Sequence, residues 1–266
     1  MSRLEGCFAG LRRERRTGLI TYVTAGDPDF ARSAAIVRTL DRAGADVIEL
    51  GVPFSDPVAD GPVIERASER ARASGGTLDT TLELVRVVRD EIRAPVVLFT
   101  YANPVLRMGE QEFVTRAAAV GVDGVLVLDL PLEEAAGFCD SLARVGLDMI
   151  FLLSPTTTDA RIERAAALGR GFLYAISRLG VTGARDTLAE SAGPLVQRIR
   201  NCTTLPIALG FGISKPDHVR QVGQWADAAV VGSGLVQLVA DAAATPDLME
   251  RVASYVRWMK GSEAPC

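Results

Sequence analysis

The sequence predicts an α/β protein built as a single (β/α)8 TIM barrel with an extra N-terminal helix. Three observations carry this. First, apolar runs alternate with amphipathic segments along the chain, which implies parallel strands joined by right-handed crossovers. Second, a unit recurs in which a helical stretch leads through Gly-x-Asp into an apolar run: AGADVIEL (43–50), VGVDGVLVLD (120–129) and VGLDMIFLL (145–153), with WADAAVVGS (225–233) as a looser copy. Third, the chain has 266 residues, of which 48% are hydrophobic, and eight βα units of about 30 residues each fill one barrel of ordinary size. A doubly wound sheet is the competing architecture. No linker or low-complexity stretch divides the chain, so residues 1–266 are expected to form one domain.

The elements follow in order. Residues 2–14 read as an amphipathic helix, either plugging the bottom of the barrel or packing as an ordinary helix. GLITYVT (18–24) is the first strand, and ARSAAIVRTLDRA (31–43) the helix after it. The second strand ends the first repeat, LELVRVVRDEI (82–92) is helical, and PVVLFTY (95–101) is the third strand. The next two repeats supply strands four and five. In each repeat the glycine suits the position just past a helix, and the apolar run suits a strand buried on both faces. ARIERAAAL (160–168) and PLVQRIR (194–200) read as helices around strand six, GFLYAIS (171–177). LPIALG (205–210) and the loose repeat complete the eight, and the tail GSEAPC is expected to fray.

Composition excludes several function classes. The net charge is −4 with no basic block, which argues against a nucleic-acid partner. No apolar run reaches membrane-spanning length, and MSRLEGCFAGLRRERR lacks a signal-peptide core. Cys7, Cys139, Cys202 and Cys266 are scattered and read as reduced thiols of a cytoplasmic protein. There is one histidine, His218, and there are two lysines, Lys215 and Lys260. A Schiff-base aldolase needs a lysine at a strand end, and metal-dependent aldolases and epimerases need clustered histidines. Neither lysine is well placed, and His218, in KPDHVR, reads as a solvated helix residue. No metal is expected.

Barrel active sites lie at the C-terminal ends of the strands. Strand two carries Glu49 among buried aliphatics, and Asp60 follows in PVADGP. Facing the helix layer, Glu49 would be an unpaired buried charge. Facing inward near the top, it meets water or a ligand, and burial raises its pKa towards what an acid–base catalyst needs. A Glu–Arg pair serving as packing is the bland alternative. Asp60 is either an active-site carboxylate or an Asx-turn residue serving the backbone. Asp56 and Asp129 are similarly open between turn and functional roles. GFG (210–212) and GSG (232–234) follow the last two strands, where barrels of this kind hold a phosphate with backbone N–H groups. SRLGVTGARDTL (177–188) reads as a lid, or else as a plain surface loop. What remains is carboxylate acid–base chemistry on a phosphorylated small molecule. A sugar-phosphate isomerase is one reading.

The motifs ELGVPFSDPVADGP (49–62), TYANP (100–104), DLP (129–131), SRLGVTG (177–183), GFGIS (210–214) and GSG (232–234), in this order, resemble the tryptophan synthase α-subunit family over nearly the whole chain. The resemblance implies retro-aldol cleavage of indole-3-glycerol phosphate to indole and glyceraldehyde 3-phosphate. It implies no cofactor in this chain, and a pyridoxal-phosphate β subunit in an α2β2 tetramer that receives the indole. Carried over residue by residue, it makes Glu49 and Asp60 catalytic. Tyr22, Tyr101, Leu126, Leu128 and Leu152 fall on the indole pocket. Gly183, Gly212, Gly232 and Ser233 fall on the phosphate contacts, with Phe211 and Tyr174 beside them, and Thr182 on the lid threonine. Two positions depart from some members: Tyr22 stands where Phe is common, and Leu128 where a smaller Ala can occur. PFSDP and TYANP lie where the family meets its β chain. Two other readings stay beside this one: a free-standing lyase that releases indole, and a catalytically silent activator of a partner subunit.

Overall fold

The apolar runs form parallel strands around a barrel, surrounded by helices. The computed structural model describes residues 1–176, 192–210 and 212–262. The strands are β1 (Gly18–Thr24), β2 (Val47–Gly51), β3 (Val96–Thr100), β4 (Gly124–Val127), β5 (Asp148–Met149), β6 (Phe151–Leu153), β7 (Leu173–Ile176), β8 (Ile207–Gly210) and β9 (Ala228–Val231). The helices are α1 (Arg3–Glu14), α2 (Phe30–Ala43), α3 (Pro62–Ala73), α4 (Leu78–Val88), α5 (Ala102–Met108), α6 (Glu110–Val120), α7 (Ala135–Arg144), α8 (Asp159–Leu168), α9 (Ala192–Cys202), α10 (Pro216–Val222), α11 (Ser233–Ala242) and α12 (Leu248–Met259).

The eight expected strands become nine segments because the fifth is interrupted at Ile150. Its first part, β5, pairs with β4, and its second, β6, pairs with β7. The sheet order β5-β4-β3-β2-β1-β9-β8-β7-β6 therefore closes through one short stave. Ile150 turns its side chain into the interior while its N–H still bonds Val125 O at 2.9 Å. Outward residues such as Ile48, Leu50 and Leu98 pack under the helices, and inward ones such as Ile20, Val47 and Val97 form a second, inner cluster.

Helix α1 lies across the base of the barrel. Ser2 caps it in a capping box with Glu5. Leu4, Phe8 and Leu11 enter the inner cluster, where Phe8 packs on Phe172 with ring centroids 5.5 Å apart. The fit depends on glycine at two strand bases. A Cβ on Gly18 would come 2.7 Å from Leu11, and one on Gly124 2.9 Å from Leu4.

The aspartates of the Gly-x-Asp repeat explain why that unit recurs. Asp46 accepts the N–H of Leu19, Asp123 that of Val96 and Asp227 that of Ile207, each at 2.8 Å. Each therefore satisfies the first free donor of a neighbouring strand. Asp148 instead accepts the Ser2 hydroxyl at 2.6 Å. Helix α1 and the residues flanking it reach all four, since Arg16 pairs with Asp46 at 2.8 Å, Arg12 with Asp227 at 3.7 Å and Arg3 with Asp123 at 3.8 Å. The repeat is a ring of latches, and α1 is fastened to it.

The latch whose partner is an almost buried arginine gives a stability prediction. Asp123 also pairs with Arg89 at 3.2 Å, and both side chains are almost buried. Asp123→Ala strands the Arg89 charge and the Val96 N–H, and should cost about 3–5 kcal/mol. Asp79→Ala, which breaks an exposed pair with Arg116, should cost no more than about 1 kcal/mol. Urea unfolding of both variants measures the contrast, and equal losses would show that Asp123 is no latch.

Candidate active site

Strand β2 positions the first carboxylate. Ile48 and Leu50 face the helix layer, so alternation sends Glu49 inward with Val47 and Gly51. Glu49 stands in register between Tyr22 of β1 and Val97 of β3. It is fully buried, and neither carboxylate oxygen has a hydrogen-bond partner among the described residues. The Glu–Arg packing alternative is therefore not what the structure contains. Burial alone pushes its pKa up to about 8, because a charged carboxylate here would exchange water for an apolar wall.

The loop between β2 and α3 brings in the second carboxylate. Asp60 is half-buried. Its pKa is raised to about 6 by burial, held down by a hydrogen bond with Tyr101, and raised by the charge of Glu65. Among the described residues no backbone N–H bonds its carboxylate, so it is not an Asx-turn residue. The loop is tethered instead through Tyr101, whose hydroxyl accepts the Ala59 N–H at 3.1 Å and whose ring packs on Phe54 at 5.2 Å. The Ser68 hydroxyl holds both the N–H and the carbonyl of Phe54, at 2.9 and 3.0 Å. The other two aspartates left open by the sequence have simpler places. Asp56 is exposed beside Ser55, and Asp129 accepts the Ala102 N–H at 2.6 Å, capping α5.

Two phenol rings flank Glu49, and glycines make room for them. A Cβ on Gly51 would sit 2.0 Å from the Tyr22 hydroxyl, and one on Gly210 2.4 Å from that of Tyr174. Burial raises the pKa of both phenols well above the usual value. The charges of Asp60 and then Glu49 add to it at Tyr22, as does that of Glu49 at Tyr174. Leu126 is buried on the inner face, and Leu128 and Leu152 are half-buried there. Phe99, which the sequence analysis missed, joins them. It is half-buried on β3 and meets Tyr22 edge-on at 5.5 Å and 82°. Alternation from Val97 could have found it, since Val97 is the register partner of Glu49.

On the other side of the mouth, Gly212 has φ +81°, in the left-handed region that favours glycine. Gly232 caps α11, whose first residue is Ser233. The N–H groups of that first turn have no partner within the helix. Thr182, Gly183, Phe211 and the expected lid (177–188) lie outside the described residues.

The basic residues correct one expectation. His218 is not a solvated helix residue. It is 2% exposed, and its Nδ1 accepts the Ser214 N–H at 3.2 Å, because α10 lays this face against the barrel. Lys215 caps α10, and Lys260 is tied to the Gly44 carbonyl at 2.5 Å and to Asp46 at 3.2 Å, at the barrel's base. Among the described residues no three His, Cys, Asp or Glu side chains cluster as metal ligands would. Within the same residues no helix is long and apolar enough to cross a membrane.

A family model described as tryptophan synthase alpha chain matches residues 8–263. The chain belongs to the tryptophan synthase alpha chain family. The tryptophan synthase alpha chain of Solibacter usitatus is 48% identical over 260 residues, covering 98% of this chain and 97% of that protein. That of Geobacter sulfurreducens is 49% identical over 256 residues, covering 96% and 97%. Among solved structures, a tryptophan synthase of Mycobacterium tuberculosis is 35% identical, with a TM-score of 0.90 and 98% of each chain covered. One from Pyrococcus furiosus, described as a mutually activating a2b2 complex, is 37% identical with a TM-score of 0.86, covering 92% of this chain and 98% of that one. The alpha reaction of the tryptophan synthase family is the cleavage of indole-3-glycerol phosphate, a carbon–carbon lyase step in tryptophan biosynthesis. Family alpha chains do not themselves bind pyridoxal phosphate.

Proposed function

We propose that Glu49 and Asp60 carry out the alpha reaction in this chain, and that the indole passes to a pyridoxal-phosphate β subunit in an α2β2 assembly in the cytoplasm. The carrying observation is the buried Glu49 carboxyl, unpartnered among the described residues, with its pKa near 8. At neutral pH such a group is protonated and ready to give up its proton. In the first step it delivers that proton to indole C3, and the ring becomes an indoleninium cation. Asp60, ionised, accepts the ring N–H and stabilises the positive charge. In the second step Glu49, now a carboxylate, takes the proton of the glycerol hydroxyl. The carbon–carbon bond breaks, its electron pair returns to the indole ring, and glyceraldehyde 3-phosphate departs as the aldehyde.

The other roles are those the family resemblance implies, with Phe99 added by its contact with Tyr22. Tyr22, Tyr101, Leu126, Leu128, Leu152 and Phe99 enclose the indole. Tyr174 stands on the opposite flank of Glu49, and Phe211 and the lid residue Thr182 complete the substrate contacts. Gly183, Gly212, Gly232 and Ser233 hold the phosphate through backbone N–H groups. Residues 1–266 act as one barrel domain. Docking of a β subunit is supported by two exposed aliphatics near the PFSDP and TYANP motifs: Val58 is 87% and Leu106 69% exposed. Chemistry within this chain needs no metal and no Schiff base.

Indole release from indole-3-glycerol phosphate tests the reading, measured alone and with a β subunit. The chain alone should keep its activity in EDTA and in borohydride with substrate present, and untreated activity should rise when the β subunit is added. Inactivation by either reagent would overturn the mechanism. A rate indifferent to the β subunit would favour the free-standing lyase.

A further inference from the structure

The chain's one histidine stands at the phosphate side of the barrel. Ser214 lies two residues beyond Gly212, in the loop from β8 to α10. Its N–H points to a side chain, the Nδ1 of His218, at 3.2 Å. His218 is 2% exposed and the neighbouring Ile213 is buried at 4%, while Ser214 is half-buried, so the bond lies largely under the loop. Backbone donors shielded from water are almost always paired, and here the imidazole is the partner. An acceptor at Nδ1 means the neutral ring with its proton on Nε2.

We propose that His218 is a positioning residue for the phosphate loop: its Nδ1 fixes Ser214 so that Gly212 presents its backbone to a phosphate monoester. This rests on the reading of Gly212 as a phosphate contact. His218 does not touch the substrate. It acts through the loop, on binding of the phosphate and not on the proton transfers at Glu49.

The test compares His218→Asn, His218→Leu and His218→Gln. The amide oxygen of Asn stands one bond from Cγ, as Nδ1 does, so it restores the acceptor. Leu removes it at similar bulk. Gln places its amide one bond further out and guards against a Leu variant that does not fold. Affinity is measured for indole-3-propanol phosphate and for its dephosphorylated alcohol, with KM and kcat for indole-3-glycerol phosphate on the same samples.

For His218→Leu and His218→Gln, KM and the dissociation constant of the phosphorylated analogue should rise about tenfold, the worth of one hydrogen bond. The constant for the alcohol should not move, and kcat should stay within about twofold. His218→Asn should resemble the wild type. The inference is overturned if Asn is no better than Leu, if the alcohol loses as much as the phosphate, or if the loss falls on kcat. If the wild type binds the phosphorylated analogue no more tightly than the alcohol, it is the phosphate reading that fails.

Discussion

Replacing Glu49 by glutamine should lower indole release by about 10²–10⁴-fold, the usual worth of a general acid–base group, and by more if both proton transfers depend on it. Glutamine keeps the size and the hydrogen-bonding atoms but exchanges no proton near neutral pH. Binding of indole-3-propanol phosphate should persist, because its affinity comes from the apolar pocket and the phosphate site. The same variant should gain stability in a pH-dependent way. The folded-state pKa of Glu49 lies near 8 against an ordinary value of 4.5. Below 4.5 the carboxyl is neutral folded and unfolded, and has no effect. As pH rises from 4.5 to 8, the unfolded chain ionises while the folded one resists, so the wild type loses stability. Glutamine removes that loss. The gap in unfolding free energy should therefore widen through this window to the order of a few kcal/mol and then level off. A catalytically idle Glu49 would show near-normal turnover in the variant, and that result would end the proposed mechanism.

Asp60→Ala should lower turnover by about 10²–10³-fold, the range seen when one preorganised electrostatic partner is removed from a site. Asp60→Asn should lose less, since its amide oxygen still accepts the indole N–H while the negative charge is gone. The order of the two separates the hydrogen bond to the ring from the negative charge. If Asn is as inactive as Ala, the charge itself is indispensable, and Asp60 does more than hold the ring. If neither variant loses activity, Asp60 is a loop residue. Single-turnover measurements of indole formation on both variants read this directly, free of any change in product release.

Much of the architecture was legible in the sequence, for local physical reasons. A strand buried on both faces must be continuously apolar, and β1 runs over the expected residues 18–24 without adjustment. A carboxylate in such a run cannot face the helix layer unpaired, so an inward Glu49 was expected, and its lack of a partner among the described residues decides against a Glu–Arg pair. The glycines after the last strands marked the positions that prove to be the left-handed Gly212 and the cap Gly232. The motif order carried the family.

Other features were decided only by residues far apart in the chain. The repeat displayed its glycine and its strand, but not why it keeps an aspartate. Each Asp answers a donor on a neighbouring strand or helix, as Ser2 meets Asp148 from 146 positions away. Local polarity made His218 look solvated, yet the packing of α10 buries it and gives its ring a backbone partner. Phe99 enters the site because β3 lies beside β2 in that register, and the fifth strand breaks because Ile150 changes sheet partners and turns inward. The values near 8 and 6 for Glu49 and Asp60 likewise belong to the closed barrel. The sequence names the carboxylates, but only the assembled walls take the water from around them, and that desolvation is what holds both above the ordinary carboxylate range.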